Sequence, residues 1–130
     1  MKLASEKMTR RILVVDDEEA IRIILQASLE MTAGWSVLLA PSADVGIHMA
    51  TAEQPDVILL DVRMPELDGV SLFHQLQAHA RTRDIPIIFL TAEARVAEHK
   101  VLEALGAGII LKPFEPTAIA GQIKTLLAWP

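Results

Sequence analysis

The sequence has 130 residues, of which 52% are hydrophobic and 22% are charged, and its formal net charge is −5. These values are typical of one globular domain and exclude a disordered chain. The negative charge and the lack of a basic block argue against direct contact with nucleic acid or with an anionic membrane. The partners of the chain are therefore expected to be proteins.

Cysteine is absent, which excludes disulfides, thiolate metal sites and thiol catalysis.

No apolar run approaches the ~18 residues of a membrane span. Residues 1–10 lack the continuous apolar centre of a signal peptide. We therefore expect a cytoplasmic protein without membrane insertion, in which residues 1–10 form a flexible tail and residues 11–128 a single domain, with no output domain present.

Five short apolar runs alternate with five segments of helical periodicity. The predicted strands cover residues 12–15, 37–40, 57–60, 87–90 and 109–111. The predicted helices run from residue 18 to about 34, from 42 to about 54, through 70–76, from 95 to 106 and from 116 onwards. Helical spacing predicts the inward-facing residues, which are Ile21, Ile24, Leu25 and Leu29 in the first helix, Val45, Met49 and Ala52 in the second, Val70, Phe73 and Leu76 in the third, Ala97, Val101, Ala104 and Leu105 in the fourth, and Ile119, Ile123, Leu126 and Leu127 in the fifth.

The alternation of strands and helices predicts the α/β class. Each connection has room for a right-handed crossover, so the economical fold is a doubly wound parallel sheet with helices on both faces. We expect the flavodoxin-like (βα)5 architecture, with five strands in the order 2-1-3-4-5.

Polar residues with chemical capacity follow four of the five predicted strands. Asp16 and Asp17 follow the first strand, Asp61 the third, Thr91 the fourth and Lys112 the fifth. Ligands of open α/β sheets bind beyond the carboxyl ends of the strands. In the order 2-1-3-4-5 these four strands are neighbours, so their polar ends should converge on one crevice.

The predicted crevice brings carboxylates together, and like charges resist joint ionisation unless a cation compensates them. Only oxygen ligands are available, which favours Mg²⁺ sharing its shell with water and phosphate oxygens. Lys112 adds a positive charge and Thr91 a hydroxyl donor. These groups around Asp61 are what phosphoryl transfer to that carboxylate requires, with Asp61 as the nucleophile.

With these residues in this order, the sequence resembles the response-regulator receiver domains of two-component signalling. The matching pieces lie in the expected order between about residue 11 and residue 127. They are Ile12 to Asp17, Asp61 with Met64-Pro65, Asp68-Gly69, Leu90-Thr91-Ala92, Gly106-Ala107 and Lys112-Pro113-Phe114.

The resemblance implies a role for each site residue. Asp61 would accept phosphate from a phosphohistidine of a sensor histidine kinase or a histidine phosphotransfer protein. Asp17 would ligate Mg²⁺ directly, Asp16 through water, and Arg63 through its backbone carbonyl. Thr91 and Lys112 would bind phosphoryl oxygens, and the Lys112-Pro113 bond would be cis.

The resemblance also implies a signalling module rather than an enzyme. Such a domain catalyses only its own phosphorylation and slow autodephosphorylation. It acts through contacts with a downstream protein target, and we expect it to be a monomer or a weak homodimer.

One residue departs from the family pattern. Members usually carry Tyr or Phe three residues before the lysine, where this chain has Ile109. The aromatic ring that moves inward on phosphorylation is therefore missing, whereas the threonine of the switch is present as Thr91.

Two side chains beside the crevice suggest a gate. Arg63 and Glu93 each lie two residues past a site residue and carry opposite charges. By resemblance they flank the path of the water that hydrolyses the phosphoryl group. A guanidinium and carboxylate paired across the crevice would exclude that water.

The alternative interpretation is a flavodoxin-like Mg²⁺-dependent hydrolase or nucleotide-binding protein that uses the same crevice. A nucleotide site would need a glycine-rich loop after the first strand, where the acidic run 16–19 stands. A phosphatase of the Asp-x-Asp type would need an acid at the position of Arg63.

Overall fold

A computed structural model describes residues 9–65, 68–92 and 95–130. Within them the strands are β1 (Arg11–Val15), β2 (Ser36–Ala40), β3 (Val57–Asp61), β4 (Ile87–Thr91) and β5 (Gly108–Leu111). The helices are α1 (Glu19–Ala33), α2 (Ala43–Glu53), α3 (Gly69–Gln77), α4 (Val96–Leu105) and α5 (Ile119–Leu127), and a 3₁₀ turn at Pro116–Ala118 precedes α5. The alternation predicted from the apolar runs is confirmed.

All neighbouring strands are parallel, and their order is β2-β1-β3-β4-β5. The predicted flavodoxin-like topology is therefore correct. In the register of the sheet, Val15 pairs with Leu60, Asp61 with Leu90, and Thr91 with Leu111. The strand ends that carry polar residues are thus adjacent at one edge of the sheet.

The sheet is covered on both faces, as its continuous apolar strands require. All five residues of β3 and all five of β4 are buried. One core lies against α1 and α5 and includes Val14, Leu59 and Ile123. The other lies against α2, α3 and α4 and includes Leu13, Leu60 and Phe89. Because both faces of β3 are covered, the position of its carboxyl end, which carries Asp61, is fixed.

The predicted inward face of α2 was largely wrong, although Met49 is partly buried against the core as predicted. Its buried residues are Ala43, Gly46 and Ala50, whereas Val45 is 37% exposed and Ala52 is exposed. A Cβ on Gly46 would lie 3.0 Å from a methyl group of Val15. The helix therefore packs close to β1 through its smallest residues, which a search for large apolar side chains misses.

The predicted inward face of α4 was also largely wrong. Leu102 is the buried residue of this helix, Leu105 is partly buried, and Val101 is 54% exposed. Ala97 and Ala104 are exposed as well. Apolar residues occur on both sides of α4, so periodicity alone selected the wrong side.

Ile24 of α1 and Leu126 of α5 were likewise predicted inward but are partly exposed.

The chain after α5 is held by aromatic contacts. Trp129 packs edge-to-face on Trp35, with 5.6 Å between ring centroids. The guanidinium of Arg10 lies 4.2 Å from the centre of the Trp129 ring, a cation–π contact. Arg10, the last residue of the predicted tail, thus joins the packed part of the chain, while residues 1–8 of that tail lie outside the described residues.

No helix in the described ranges is long and apolar enough to cross a membrane.

Gly69 provides a test of the packing beneath the site. A Cβ there would lie 2.4 Å from the carbonyl oxygen of Asp61 and 2.8 Å from the Cα of Val62. Because backbone atoms cannot move aside easily, Gly69→Ala should destabilise the fold by about 1–3 kcal/mol. Chemical denaturation measures the change.

Gly121→Ala is the matched control. A Cβ at Gly121 meets nothing within 4 Å, and the residue lies within α5. This substitution should stabilise the protein by up to about 1 kcal/mol, because alanine is the better helix former. If both variants changed stability in the same direction by the same amount, Gly69 would not be constrained by packing.

Candidate functional site

The polar strand ends meet as predicted. Asp16 follows β1 and is fully buried, and its backbone N–H donates to the carbonyl of Ala40 at 3.1 Å. Asp61 ends β3 with 5% exposure, and Thr91 ends β4 with 2% exposure. The backbone N–H of Lys112 donates to the carbonyl of Thr91 at 2.8 Å. The sheet register therefore sets the spacing of the site.

The ammonium group of Lys112 is the centre of the crevice. Its Nζ lies 3.0 Å from Oδ2 of Asp16, 3.3 Å from Oδ1 of Asp61 and 3.5 Å from Oε1 of Glu18. One positive charge thus faces three carboxylates. The crevice keeps an excess of negative charge that a further cation would neutralise.

The electrostatics of Asp61 follow from this arrangement. Burial, followed by the charge of Asp16, raises the pKa of Asp61 from 3.8 to about 6. Lys112 and the backbone N–H of Arg63, which donates to Oδ1 of Asp61 at 3.2 Å, oppose the rise. Asp61 is consequently a carboxylate whose charge is poorly compensated by the protein alone.

The pKa of Lys112 is raised as well, but for this base the shift favours the charged form. Burial by itself lowers the pKa of this side chain. The hydrogen bond to Asp16 and the charges of Asp16 and Asp61 outweigh burial and raise the pKa above its ordinary value of 10.5. Lys112 is therefore a permanent cation in the site.

Asp16 is held from three directions. Its Oδ1 accepts a hydrogen bond from the backbone N–H of Glu18 at 2.9 Å, and its Oδ2 accepts from Lys112 at 3.0 Å. Arg22, on the first turns of α1, donates from Nη1 to the carbonyl oxygen of Asp16 at 2.7 Å. The position of this buried carboxylate is thus fixed before any ligand arrives.

Sequence reasoning missed Glu18 and Arg22 as members of the site. Glu18 was interpreted as part of an acidic loop leading into the first helix. The available signal was its position two residues after Asp16, which is close enough to the end of β1 for the side chain to reach the same crevice. Arg22 carried no comparable signal, because its partner is a backbone carbonyl.

The donor set fits a hard cation. One carboxylate oxygen each from Asp16, Glu18 and Asp61 can be chosen so that all lie within 4.8 Å of one another. Such an oxygen-only cluster suits Mg²⁺, which prefers oxygen ligands and retains water in its shell. Asp17, the predicted direct ligand, is exposed and is not part of this group. Its role, like that of the Arg63 carbonyl, stays a prediction.

The crevice itself is small. It encloses about 130 Å³ and is lined by Glu18, Asp61, Arg63, Thr91, Ala92 and Lys112. A larger groove of about 600 Å³ lies elsewhere, between Ile109 and α5, and its lining carries no charged side chain. The convergent polar groups line the smaller space, which is therefore the candidate site.

Other predicted features have different outcomes. The Lys112-Pro113 bond is cis, as expected. Ile109 is partly buried against the core that contains Phe89. Glu93 lies outside the described residues, so the gate formed with Arg63 stays a prediction.

Comparison with known sequences gives the family. Residues 12–124 match the response regulator receiver domain family. The chain is 37% identical over 121 residues to the alkaline phosphatase synthesis transcriptional regulatory protein PhoP of Bacillus subtilis (strain 168), a match that covers 92% of this chain and 49% of that protein. It is 38% identical over 121 residues to the response regulator MprA of Mycobacterium bovis (strain BCG / Pasteur 1173P2), covering 92% and 51%. The chain therefore spans about half the length of these relatives.

Comparison with solved structures agrees. The chemotaxis protein CheY4 of Vibrio cholerae superposes with a TM-score of 0.82 at 28% identity, covering 91% of this chain and 98% of that one. The N-terminal domain of a response regulator receiver protein from Methanoculleus marisnigri JR1 gives 0.74 at 31% identity, covering 92% and 97%.

The fold and the crevice define a doubly wound α/β domain with an acidic site at the carboxyl ends of its strands. The chain belongs to the response-regulator receiver domain family, and it is a signalling module of two-component systems.

The raised pKa of Asp61 predicts a pH dependence of stability. Because the folded-state pKa of about 6 exceeds the ordinary 3.8, the favourable contribution of Asp61 is complete below about pH 4 and is lost as the pH rises through about 6. Asp61→Asn cannot ionise. In metal-free buffer it should be more stable than the wild type near pH 8, by on the order of 2–3 kcal/mol, with the difference vanishing near pH 4.

Denaturation in EDTA at both pH values measures this difference. Asp84→Asn, which changes an exposed aspartate before β4 that does not line the crevice, is the control for the removal of one negative charge. An advantage of Asp61→Asn that did not depend on pH would contradict the assignment.

Proposed function

We propose that Asp61 accepts a phosphoryl group from a phosphohistidine of a sensor histidine kinase or a histidine phosphotransfer protein. The supporting observation is the position of Asp61. It is a buried carboxylate at the end of β3, and its Oδ1 lies 3.3 Å from Nζ of Lys112 in an open crevice. The phosphorylated domain then signals through contacts with a downstream protein target. Because ATP-dependent histidine kinases work in the cytoplasm, a cytoplasmic location is part of the proposal.

In the proposed reaction, a carboxylate oxygen of Asp61 attacks the phosphorus atom. The phosphorus–nitrogen bond of the donor breaks, the electron pair stays on the imidazole nitrogen, and that nitrogen takes up a proton from the solvent. Lys112 and the hydroxyl of Thr91 bind the phosphoryl oxygens as their charge is redistributed. Bound Mg²⁺, held by Asp16, Asp17, Asp61 and the Arg63 carbonyl, would supply the remaining positive charge.

The protein's own contribution is positioning. Arg22 and the backbone N–H of Glu18 hold Asp16, and the backbone N–H of Arg63 orients Asp61. The reacting carboxylate is therefore aligned without further movement of the strands. Such preorganisation supplies most of the catalysis that phosphoryl transfer needs.

The surface beside the crevice supports a protein donor. Ile23 and Ile24 are exposed in the second turn of α1, the helix that begins next to Glu18. Two adjacent exposed apolar side chains beside a polar-rimmed crevice are a candidate contact surface for a protein. A phosphohistidine carried by a partner that packs on α1 would lie near the crevice.

The alternative function has less support. A nucleotide or a hydrolase substrate would bring a phosphate chain against the acidic loop after β1, where Asp16, Asp17 and Glu18 repel it. The same net negative charge is why we propose no direct nucleic-acid contact for this domain. We further propose that the catalysis is limited to its own phosphorylation and slow autodephosphorylation, and that the domain is a monomer or a weak homodimer.

Phosphorylation can be tested directly. Incubating the chain with Mg²⁺ and acetyl phosphate should add one phosphoryl group, which intact-mass spectrometry detects. Asp61→Asn should abolish the addition because the nucleophile is lost, and EDTA should prevent it. Asp56→Asn, which changes an aspartate before β3, should be phosphorylated like the wild type. Labelling of Asp61→Asn at the wild-type rate would show that the site is elsewhere.

The metal ligands can be tested by thermal shift. Mg²⁺ should raise the melting temperature of the unphosphorylated protein, because it relieves repulsion in the crevice and binds only the folded state. Asp17→Asn should lose most of this shift, whereas Glu19→Gln, an exposed acid on α1, should keep it. Equal shifts in both variants would remove Asp17 from the ligand set.

A further inference from the structure

We propose that the side chain of Glu18 is an anionic placeholder on Lys112. In the unphosphorylated protein its carboxylate lies on the ammonium group, and it must leave when a phosphoryl oxygen binds there. This inference rests on the proposed phosphorylation of Asp61. It makes Glu18 a residue that sets how readily the site accepts phosphate.

The three carboxylates on Lys112 are not equivalent. Asp16 and Asp61 are buried and are each held by a second hydrogen bond from the backbone. The side chain of Glu18 is 61% exposed and makes no capping hydrogen bond to α1. At 3.5 Å its contact with Lys112 is also the longest of the three. Glu18 is therefore the partner that can be displaced at the lowest cost.

The crevice brings Glu18 into competition with a phosphoryl group. Glu18 lines the same 130 Å³ crevice as Asp61, Thr91 and Lys112. A phosphoryl group bonded to Asp61 occupies that space and carries negative charge. Its oxygens and the carboxylate of Glu18 then compete for one ammonium group and repel each other.

The backbone and the side chain of Glu18 have separate roles. Its backbone N–H donates to Asp16 at 2.9 Å and helps to fix the buried carboxylate. Its side chain meets Lys112 instead. Glu18→Gln keeps the backbone contact and the size of the side chain while removing the charge, so it isolates the proposed effect.

The test compares Glu18→Gln with Glu19→Gln. Both substitutions remove one negative charge from neighbouring exposed positions, but Glu19 does not line the crevice. We expect Glu18→Gln to be phosphorylated by acetyl phosphate about two- to five-fold faster than the wild type, the size of effect expected of a partly exposed ion pair. Glu19→Gln should match the wild type. Added salt should reduce the difference, because it screens exposed charges.

A binding measurement gives a second readout without phosphoryl transfer. With saturating Mg²⁺, beryllofluoride serves as an anionic mimic of the phosphoryl group on Asp61. Its affinity for Glu18→Gln should rise by the same factor, about two- to five-fold. Glu18→Asp, which keeps the charge on a shorter side chain, should fall between the wild type and Glu18→Gln.

The outcomes separate the two proposals. Loss of Mg²⁺ binding or slower labelling in Glu18→Gln would make Glu18 a metal ligand and overturn the placeholder role. Equal acceleration in Glu19→Gln would show a general charge effect and overturn it too. Unchanged rates and affinities in Glu18→Gln, with normal labelling of the wild type, would refute this inference alone. Absence of labelling and of beryllofluoride binding in the wild type would refute the proposed function with it.

Discussion

The contact on which the site depends is that of the Lys112 ammonium with Asp16 and Asp61, which joins the ends of three strands. Lys112 follows the edge strand β5, whereas Asp16 follows β1 and Asp61 ends β3 near the centre of the sheet. Each carboxylate is buried, so removing the cation would leave two uncompensated charges in a poorly solvated space. The ammonium charge of Lys112 that stabilises the two buried carboxylates is also the charge that would bind the oxygens of a phosphoryl group.

The carboxylates that contact Lys112 outnumber its single positive charge, so this arrangement is not a neutral ion pair. Three carboxylates face one ammonium group, and burial raises the pKa of Asp61 to about 6. A fully neutralised site would be more stable, but it would have little affinity for an additional cation. The unmet negative charge is therefore a cost in folding free energy that creates binding capacity for a metal ion.

The parts of the fold that depend on the strands could be predicted from the sequence. Continuous apolar runs such as that of β3 have one stable environment, a sheet covered on both faces, and their polar ends follow from the topology. The helix faces were less predictable. Gly46 of α2 packs because it is small, and Leu102 of α4 packs in preference to its apolar neighbours. Both results depend on how closely a helix approaches the sheet, which periodicity does not encode.

Within the site, the sequence indicated the residues whose positions follow from the strand ends. Asp16, Asp61, Thr91 and Lys112 all lie at or next to such ends, and all are at the crevice. Glu18 and Arg22 lie beyond the strand, and their contacts depend on the path of the chain into α1. Trp129 shows the same limit, because its partners Trp35 and Arg10 are distant in sequence.

The family resemblance predicts an aromatic residue where this chain has Ile109, so we expect a different part of the fold to respond to the crevice. Ile109 is packed against the core that contains Phe89, and the groove beside it is open. No ring is available at this position to move between two orientations. We therefore expect Thr91, rather than residue 109, to connect the crevice to the rest of the domain, in the direction of α4, the next helix in the chain. That helix buries one residue, Leu102, whereas each of the other four buries at least three. Because fewer large apolar side chains hold α4 to the sheet than hold α1, α3 or α5, a rearrangement of α4 should cost less free energy than one of those three helices.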